Sequence, residues 1–363
     1  MSACKLVFVA PGDLSSVSGG YGYDRQIVAG LREAGRAVDL VALQAGFPWP
    51  DAAALAHAAQ RLAAIPDGAL VVVDGLAFGA MPGLAERHAA RLNWVALVHH
   101  PLALETGLTS AQGRTLSDSE RRALATARGV IVTSAATAGE LARYGVLAER
   151  VHVVTPGTDA APLAEGPGAH PLHRGLSFLC VATLTPRKGH AVLIEALRGL
   201  RDRAWILHCV GSATRDAETA NALRSAIAEQ GLGDRVRLHG EVSAGGLQSM
   251  YGQADAVVLP SYFEGYGMAL AEALAHGLPV VSTTAGAIPD TVPRDAGVLV
   301  PPGDAVALRA ALAALLDEPA LRARLAAGAR VARAGLTTWP EAVARFAAAL
   351  ESLDVEPAPG AEP

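Results

Sequence analysis

Short, wholly apolar runs alternate with amphipathic stretches along most of the chain. Leu6–Ala10, Ala37–Leu43, Leu70–Val73, Trp94–Val98, Gly129–Thr133 and Val151–Val154 read as strands. Tyr23–Ala34, Asp51–Ile65, Ser117–Thr126 and Thr137–Arg143 read as the helices between them. Strands without a polar face belong in a parallel sheet covered by helices on both sides. Prolines and glycines then interrupt the pattern over Ala161–Gly175, and the same rhythm restarts. Ser177–Ala182, Trp205–Cys209, Val236–Leu238, Ala256–Leu259, Pro279–Ser282 and Gly297–Val300 form the second set of strands, with helices such as His190–Leu200, Glu218–Glu229 and Met268–His276. The expectation is an α/β protein of two Rossmann-like domains, 1–162 and 176–336. Helical patterns over Ala305–Leu316 and Ala320–Ala334 follow, then a last helix over 337–353 and a disordered tail over 354–363. Ligands in such sheets bind beyond the carboxyl ends of the strands, so two consecutive domains predict a cleft between them.

Composition narrows the partners. Of 363 residues, 51% are hydrophobic and 18% charged, enough apolar material for two cores and too little charge for a disordered chain. The net charge is -5, no basic block occurs and aromatics are 4%, which argues against a nucleic-acid surface. No apolar run is long enough to span a bilayer, and the first residues lack the pattern of a secretory leader. A cytoplasmic protein is expected; peripheral contact at the inner membrane face needs only a surface patch and stays compatible. Cys4, Cys180 and Cys209 are widely spaced and sit in strand-like runs, so they read as buried thiols rather than a disulfide framework or a Cys-rich zinc site. Neither H-x-x-x-H nor Asp-x-Asp occurs, so no metal site is expected.

Lysine is scarce. Of 30 basic residues only Lys5 and Lys188 are lysines, and Lys188 stands in the loop Cys180-Val-Ala-Thr-Leu-Thr-Pro-Arg-Lys-Gly189, between a strand and the start of a helix. Unpaired amides at a helix start favour an anion, and Arg187 and Lys188 add positive charge beside them. A diphosphate leaving group, which gains charge as its bond breaks, calls for that combination. A second segment, Pro260-Ser-Tyr-Phe-Glu-Gly-Tyr-Gly-Met-Ala-Leu-Ala-Glu-Ala-Leu-Ala-His-Gly277, carries Glu264 in a glycine-rich turn and Glu272 in the following helix. A carboxylate accepts from two neighbouring hydroxyls, so Glu264 suits a sugar and Glu272 a ribose diol, with the amides of Gly265, Tyr266 and Gly267 available to phosphate. In the first half, Gly19 and Gly20 precede the helix expected from Tyr23 and offer amides to a phosphate. The spacing there departs from G-x-G-x-x-G, which argues against a nicotinamide or flavin. His99 and His100 follow the strand ending at Val98, where an imidazole can hydrogen-bond a sugar hydroxyl. Asp13, Asp74, Glu105 and Arg114 fall near the same edge, within reach of an acceptor, and read first as turn or surface residues.

Glu264-Gly-Tyr-Gly-Met-Ala-Leu-Ala-Glu272 matches an E-x7-E signature, and Tyr251–Ser261, Ala273–Val281, Gly286–Asp290 and Gly297–Asp304 flank it in the same pattern. With Gly19-Gly20, His99 and Val151–Asp159, the chain resembles the retaining glycosyltransferases of family 4, of GT-B fold. The resemblance implies two parallel-sheet domains facing across a cleft, an α-linked product made from an α-linked nucleoside-diphosphate sugar of the UDP or GDP type, and no essential metal or other cofactor. It implies that Lys188 binds the diphosphate, Glu264 and His99 the donor sugar, Glu272 the ribose, and the Gly19-Gly20 loop the phosphate and acceptor. It also implies that the last helix crosses back to the first domain. The acceptor would be a hydroxyl of a saccharide, glycolipid or small metabolite. The chain departs from the family at Thr183, where an arginine commonly shares the diphosphate; Arg187 or an arginine of the first domain is the expected substitute. A sugar-nucleotide epimerase or hydrolase on the same scaffold, or a non-catalytic nucleotide-sugar-binding homologue, fits the same motifs.

Overall fold

In the computed structural model, which describes residues 6–15, 18–166 and 175–355, the alternation appears in order as β1 (Leu6–Pro11), α1 (Gly19–Glu33), β2 (Val38–Leu43), α2 (Ala52–Ala63), β3 (Leu70–Asp74), α3 (Gly75–Phe78), α4 (Pro82–His88), β4 (Asn93–Val98), α5 (Ser110–Thr126), β5 (Gly129–Val132), α6 (Ala135–Leu141) and β6 (Val151–Val153). It continues as β7 (Leu176–Val181), α7 (His190–Arg198), β8 (Trp205–Val210), α8 (Ala217–Glu229), β9 (Val236–Leu238), α9 (Ala244–Gly252), β10 (Ala256–Leu259), α10 (Met268–Ala275), β11 (Val280–Thr283), α11 (Ile288–Thr291), β12 (Gly297–Val300), α12 (Ala305–Asp317), α13 (Pro319–Ala332) and α14 (Trp339–Val355). Two compact units result, Met1–Gly157 with Thr337–Pro363, and Thr158–Leu336. Cys4 and the tail beyond Val355 lie outside the described residues, as does part of the proline- and glycine-rich joint.

Each unit holds a six-stranded sheet, in the order β2-β1-β3-β4-β5-β6 in the first and β12-β11-β10-β7-β8-β9 in the second. All pairings are parallel. Winding reverses between β1 and β3 in the first sheet and between β7 and β10 in the second. At such switch points adjacent loops diverge to opposite faces and leave a crevice beyond the strand ends. The continuous apolar strands are buried on both faces: β3, β5 and β10 are buried along their whole length. In the first unit α14 packs on α1, where a Cβ at Gly30 would come 2.4 Å from Val343, so only glycine allows that approach. Tyr23 of α1 rests against Trp339 and Phe346 of α14. No helix among the described residues is long and apolar enough to cross a membrane.

Several boundaries differ from the sequence reading. The helix expected from Tyr23 starts at Gly19, because the Ser18 hydroxyl accepts the Tyr21 amide and caps a first turn of poor helix formers. Gly19 and Gly20 therefore lie inside α1. Thr109 and Gln112 form a reciprocal capping box that starts α5 at Ser110 rather than Ser117. Between β3 and β4, where the sequence reading placed no element, stand α3 and α4, the former capped by Asp74.

Candidate functional site

In the second unit the loops leaving β7 and β10 meet at the switch point. The β7 loop does not run straight into a helix. Pro186–Lys188 make one 3-10 turn, Gly189 takes a left-handed conformation, and α7 begins at His190. That break follows from contact with the neighbouring loop: a Cβ on Gly189 would lie 2.1 Å from the Pro260 carbonyl oxygen. The Tyr262 amide donates to the Arg187 carbonyl at 2.8 Å and ties the two loops together.

Lys188 and Glu264 meet across this junction. Lys188 Nζ donates to both carboxylate oxygens, 2.7 Å to Oε1 and 2.9 Å to Oε2, and Ser261 Oγ donates to Oε1 at 2.5 Å. Arg187 donates from its Nη1 to the Phe263 carbonyl at 2.8 Å and stands 3.5 Å from Glu264 Oε2. Glu264 is 5% exposed. Burial alone would raise its pKa, but Lys188, Arg187 and Ser261 together hold it below the usual glutamate value. The loop is braced from beneath. Gly286, at φ 58°, lets the chain pass so closely that a Cβ there would lie 2.3 Å from the Glu264 carbonyl oxygen, and that oxygen accepts the Ala287 amide. Thr283 and Thr291 hydroxyls donate to the Ser261 and Tyr266 carbonyls, both at 2.6 Å.

Glu272 lies in α10, one turn after its start at Met268. Tyr251 donates its hydroxyl to Glu272 Oε2 at 2.8 Å, and its ring stacks on His276 with centroids 4.9 Å apart. Burial raises the Glu272 pKa, and the tyrosine hydrogen bond only partly offsets it. Gly265, Tyr266 and Gly267 connect the two glutamates, and Gly267 ends the turn in a left-handed conformation where α10 starts.

The first unit assembles a different cluster at its own switch point. His99, just beyond β4, lies with Nε2 3.1 Å from Asp24 Oδ1. Gly20 passes so near that an added Cβ would stand 3.3 Å from His99 Cδ2. Asp74 closes the group at the end of β3. Its carboxyl is pushed up to about 7, first by burial and then by repulsion from Asp24, with His99 opposing; a protonated Asp74 hydrogen-bonds Asp24. For His99, burial disfavours the charged ring, yet the charge and hydrogen bond of Asp24 and the charge of Asp74 outweigh it, and its pKa is raised. His100 points elsewhere, 3.5 Å from Glu105. Behind the same segment, Glu120 accepts the Leu102 amide at 2.9 Å, and burial raises its carboxyl to about 8.

The structure thus brings Arg187, Lys188 and Glu264 together, and separately Gly20 and His99. Sequence reasoning passed over Ser261, Tyr251 and Asp24, and read Asp74 as a turn or surface residue, whereas it is buried at the end of β3. Asp24 leaves a legible trace: with Ile27, Val28 and Leu31 it falls on the buried stripe of α1, a carboxylate where the helical period demands an apolar residue. Arg187, the expected stand-in at Thr183, is already engaged with a backbone carbonyl.

Residues 172–332 match the family model of the glycosyl transferases group 1, and residues 22–161 that of glycosyltransferase family 4. A D-inositol 3-phosphate glycosyltransferase of Xylanimonas cellulosilytica is 35% identical over 248 residues, 64% of this chain and 58% of that protein. The MMP alpha-(1->4)-mannosyltransferase of Mycolicibacterium hassiacum is 29% identical over 322 residues, 85% of this chain and 76% of its own length. The match to the first of these relatives therefore spans little more than half of its length. Among solved structures, sucrose-phosphate synthase from Thermosynechococcus elongatus superimposes with a TM-score of 0.82 at 24% identity, covering 96% of this chain and 99% of that one. Anabaena HepE in complex with UDP and glucose gives 0.75 at 20% identity, covering 96% and 100%.

Proposed function

Starting from a chain that has the GT-B fold and is related to the group 1 and family 4 glycosyltransferases, we propose that it transfers a sugar from a nucleoside-diphosphate sugar to an acceptor hydroxyl with retention, forming an α-glycosidic bond without a metal. The observation that carries this reading is the contact of Lys188 with Glu264 where the β7 and β10 loops meet. A cation beside a carboxylate, at the switch point of a doubly wound sheet, suits a ligand with phosphate at one end and hydroxyls at the other. In the bound state Lys188 turns from Glu264 to the diphosphate. Glu264 then accepts from the sugar hydroxyls, with Ser261 still fixing its orientation. Glu272, oriented by Tyr251, accepts from the ribose. His99, oriented by Asp24, donates to the sugar. Gly19 and Gly20 at the start of α1, and Gly265, Tyr266 and Gly267 before α10, offer amides to the phosphates.

No protein nucleophile is assigned. The acceptor oxygen attacks the anomeric carbon on the face from which the diphosphate leaves. The bond to the leaving oxygen breaks as the new one forms, and the departing phosphate takes the acceptor proton. Lys188 and the loop amides stabilise the charge that grows on the phosphate. The donor is of the UDP or GDP type, a reading to which the UDP-bound HepE structure adds support. The acceptor is a saccharide, glycolipid or small metabolite, and the chain acts in the cytoplasm, with peripheral membrane contact where the acceptor is a lipid.

A thermal-shift series with UDP-, GDP- and ADP-sugars, followed by transfer assays with the stabilising donor, tests the proposal. Glu264→Gln is expected to lower transfer by at least about tenfold while the fold survives. Wild-type rates in that variant sink the assigned role, and donor turnover that needs no acceptor favours an epimerase or hydrolase instead. Transfer lost in EDTA and restored by Mg2+ contradicts the metal-free step.

A further inference from the structure

A second polar cluster lies inside the core of the second unit, and the transfer reaction makes no use of it. Cys180 and Cys209 are register partners on β7 and β8, and both are buried. His190, the first residue of α7, is 3% exposed and directs Nε2 to within 3.5 Å of Cys180 Sγ. The two sulfurs and one imidazole nitrogen all lie within 4.8 Å of one another. The widely spaced cysteines of the sequence thus become neighbours, since parallel strands joined by a helix place distant residues side by side.

Hydrogen bonding does not account for His190. Among the described residues Nδ1 is buried with no hydrogen-bond partner, and Nε2, the nitrogen that faces the thiols, contacts a sulfur, a weak partner for a ring out of water. An apolar residue would fill the same space without that cost. We propose that Cys180, Cys209 and His190 form a binding site for a thiophilic divalent cation of the zinc type. With metal–sulfur bonds near 2.3 Å and metal–nitrogen bonds near 2.05 Å, a tetrahedral centre sets sulfur and nitrogen about 3.6 Å apart and the two sulfurs about 3.8 Å apart. The observed 3.5 Å already fits the first separation, and closing the longest pair takes at most a shift of about 1 Å. Thiolate and imidazole donors select zinc-like ions over Mg2+ or Ca2+. Binding releases the two thiol protons to solvent, and two thiolates with a divalent ion and a neutral imidazole leave no net charge in the core.

Cys180 stands just before the loop that carries Lys188, and His190 just after it. An ion held by both, and by β8 through Cys209, clamps the two ends of that loop. The site stands apart from the transfer reading, and its failure leaves that reading intact. The test uses the full chain with Cys4→Ser, reduced and metal-free, titrated with Co2+ and then Zn2+. The expected result is one Co2+ per chain with a thiolate-to-cobalt charge-transfer band, displaced by an equimolar amount of Zn2+, and a rise in Tm. Cys180→Ala with Cys209→Ala is expected to abolish the band, and His190→Gln to weaken binding by at least about 100-fold, the upper end for losing a mere supporting partner. A folded Cys4→Ser chain that shows no band overturns the proposal, and this reading does not depend on the core variants folding. Metal uptake without a thiolate band, as the hydrogen-bonded His208–His239 pair would give, overturns it as well.

Discussion

Both units set carboxylates at the point where their sheets reverse direction, and they balance that charge in opposite ways. In the second unit Glu264 faces two cations and a hydroxyl, so the buried acid is held ionised. In the first unit Asp24 and Asp74 share one histidine, so Asp74 tends to keep a proton and His99 tends to gain one. The same topology therefore provides a lysine–glutamate ion pair in one unit, and in the other an acid pair that raises the pKa of an imidazole. Backbone topology fixes where each site lies, and the balance of charges fixes what it can hold.

The largest expected effect comes from breaking the ion pair. Lys188→Ala removes the main partner of a buried carboxylate and, on the proposed function, a donor to the leaving group. Transfer is expected to fall by at least about 100-fold and stability by about 3 kcal/mol. Lys188→Met combined with Glu264→Leu is expected to regain most of that stability in denaturant unfolding but none of the transfer. If Lys188→Ala leaves both unchanged, the contrast between the two units loses its basis.

The next effect is a difference of sign with pH. Glu264 has a lowered pKa, so its contribution to stability is present above the ordinary value of 4.5 and lost as pH falls through the folded value. Asp74 is raised from 3.8 to about 7, and the folded state keeps a proton that the unfolded chain has released. Its contribution is complete below 3.8 and fades as pH rises to about 7. Glu120 acts in the same direction between 4.5 and about 8, as does His99 while pH rises through its raised pKa. Hydrogen exchange in β3 and α1 is therefore expected to quicken, beyond the intrinsic base catalysis, as pH rises from about 4 to about 8. Asp74→Asn, which keeps the cap on Leu76 and imitates the protonated acid, is expected to flatten part of that trend. An identical pH profile in the variant refutes the shared proton.

The smallest effect concerns Glu272. Tyr251→Phe leaves a buried carboxylate short of one donor and is expected to cost about 1 kcal/mol. It should weaken nucleotide binding, measured by calorimetry, more than it lowers the maximal rate. A purely thermal loss with unchanged nucleotide affinity assigns the pair to packing alone.

Much of this was legible in the residues. Apolar runs with no polar face announced parallel sheets, and the lone lysine of the β7 loop with two glutamates eight positions apart marked the segments that converge. Other features were hidden because they are relations between distant residues. Asp24 and Asp74 are ordinary acids in sequence and repel one another only once β3 and α1 bring them together. Arg187 looked free to replace the arginine missing at Thr183, and the Phe263 carbonyl engages it. Gly19 and Gly20 read as a loop because glycine propensity is low, and one cap from Ser18 reversed that.

By itself the sequence determined the two parallel-sheet units, because strand burial and helix periodicity are local patterns that each segment carries. Only the tertiary structure decided which charges meet, which cysteines become neighbours and which carboxylate holds a proton. Those properties depend on distance and on exclusion of water, and neither is set until the chain has folded back on itself.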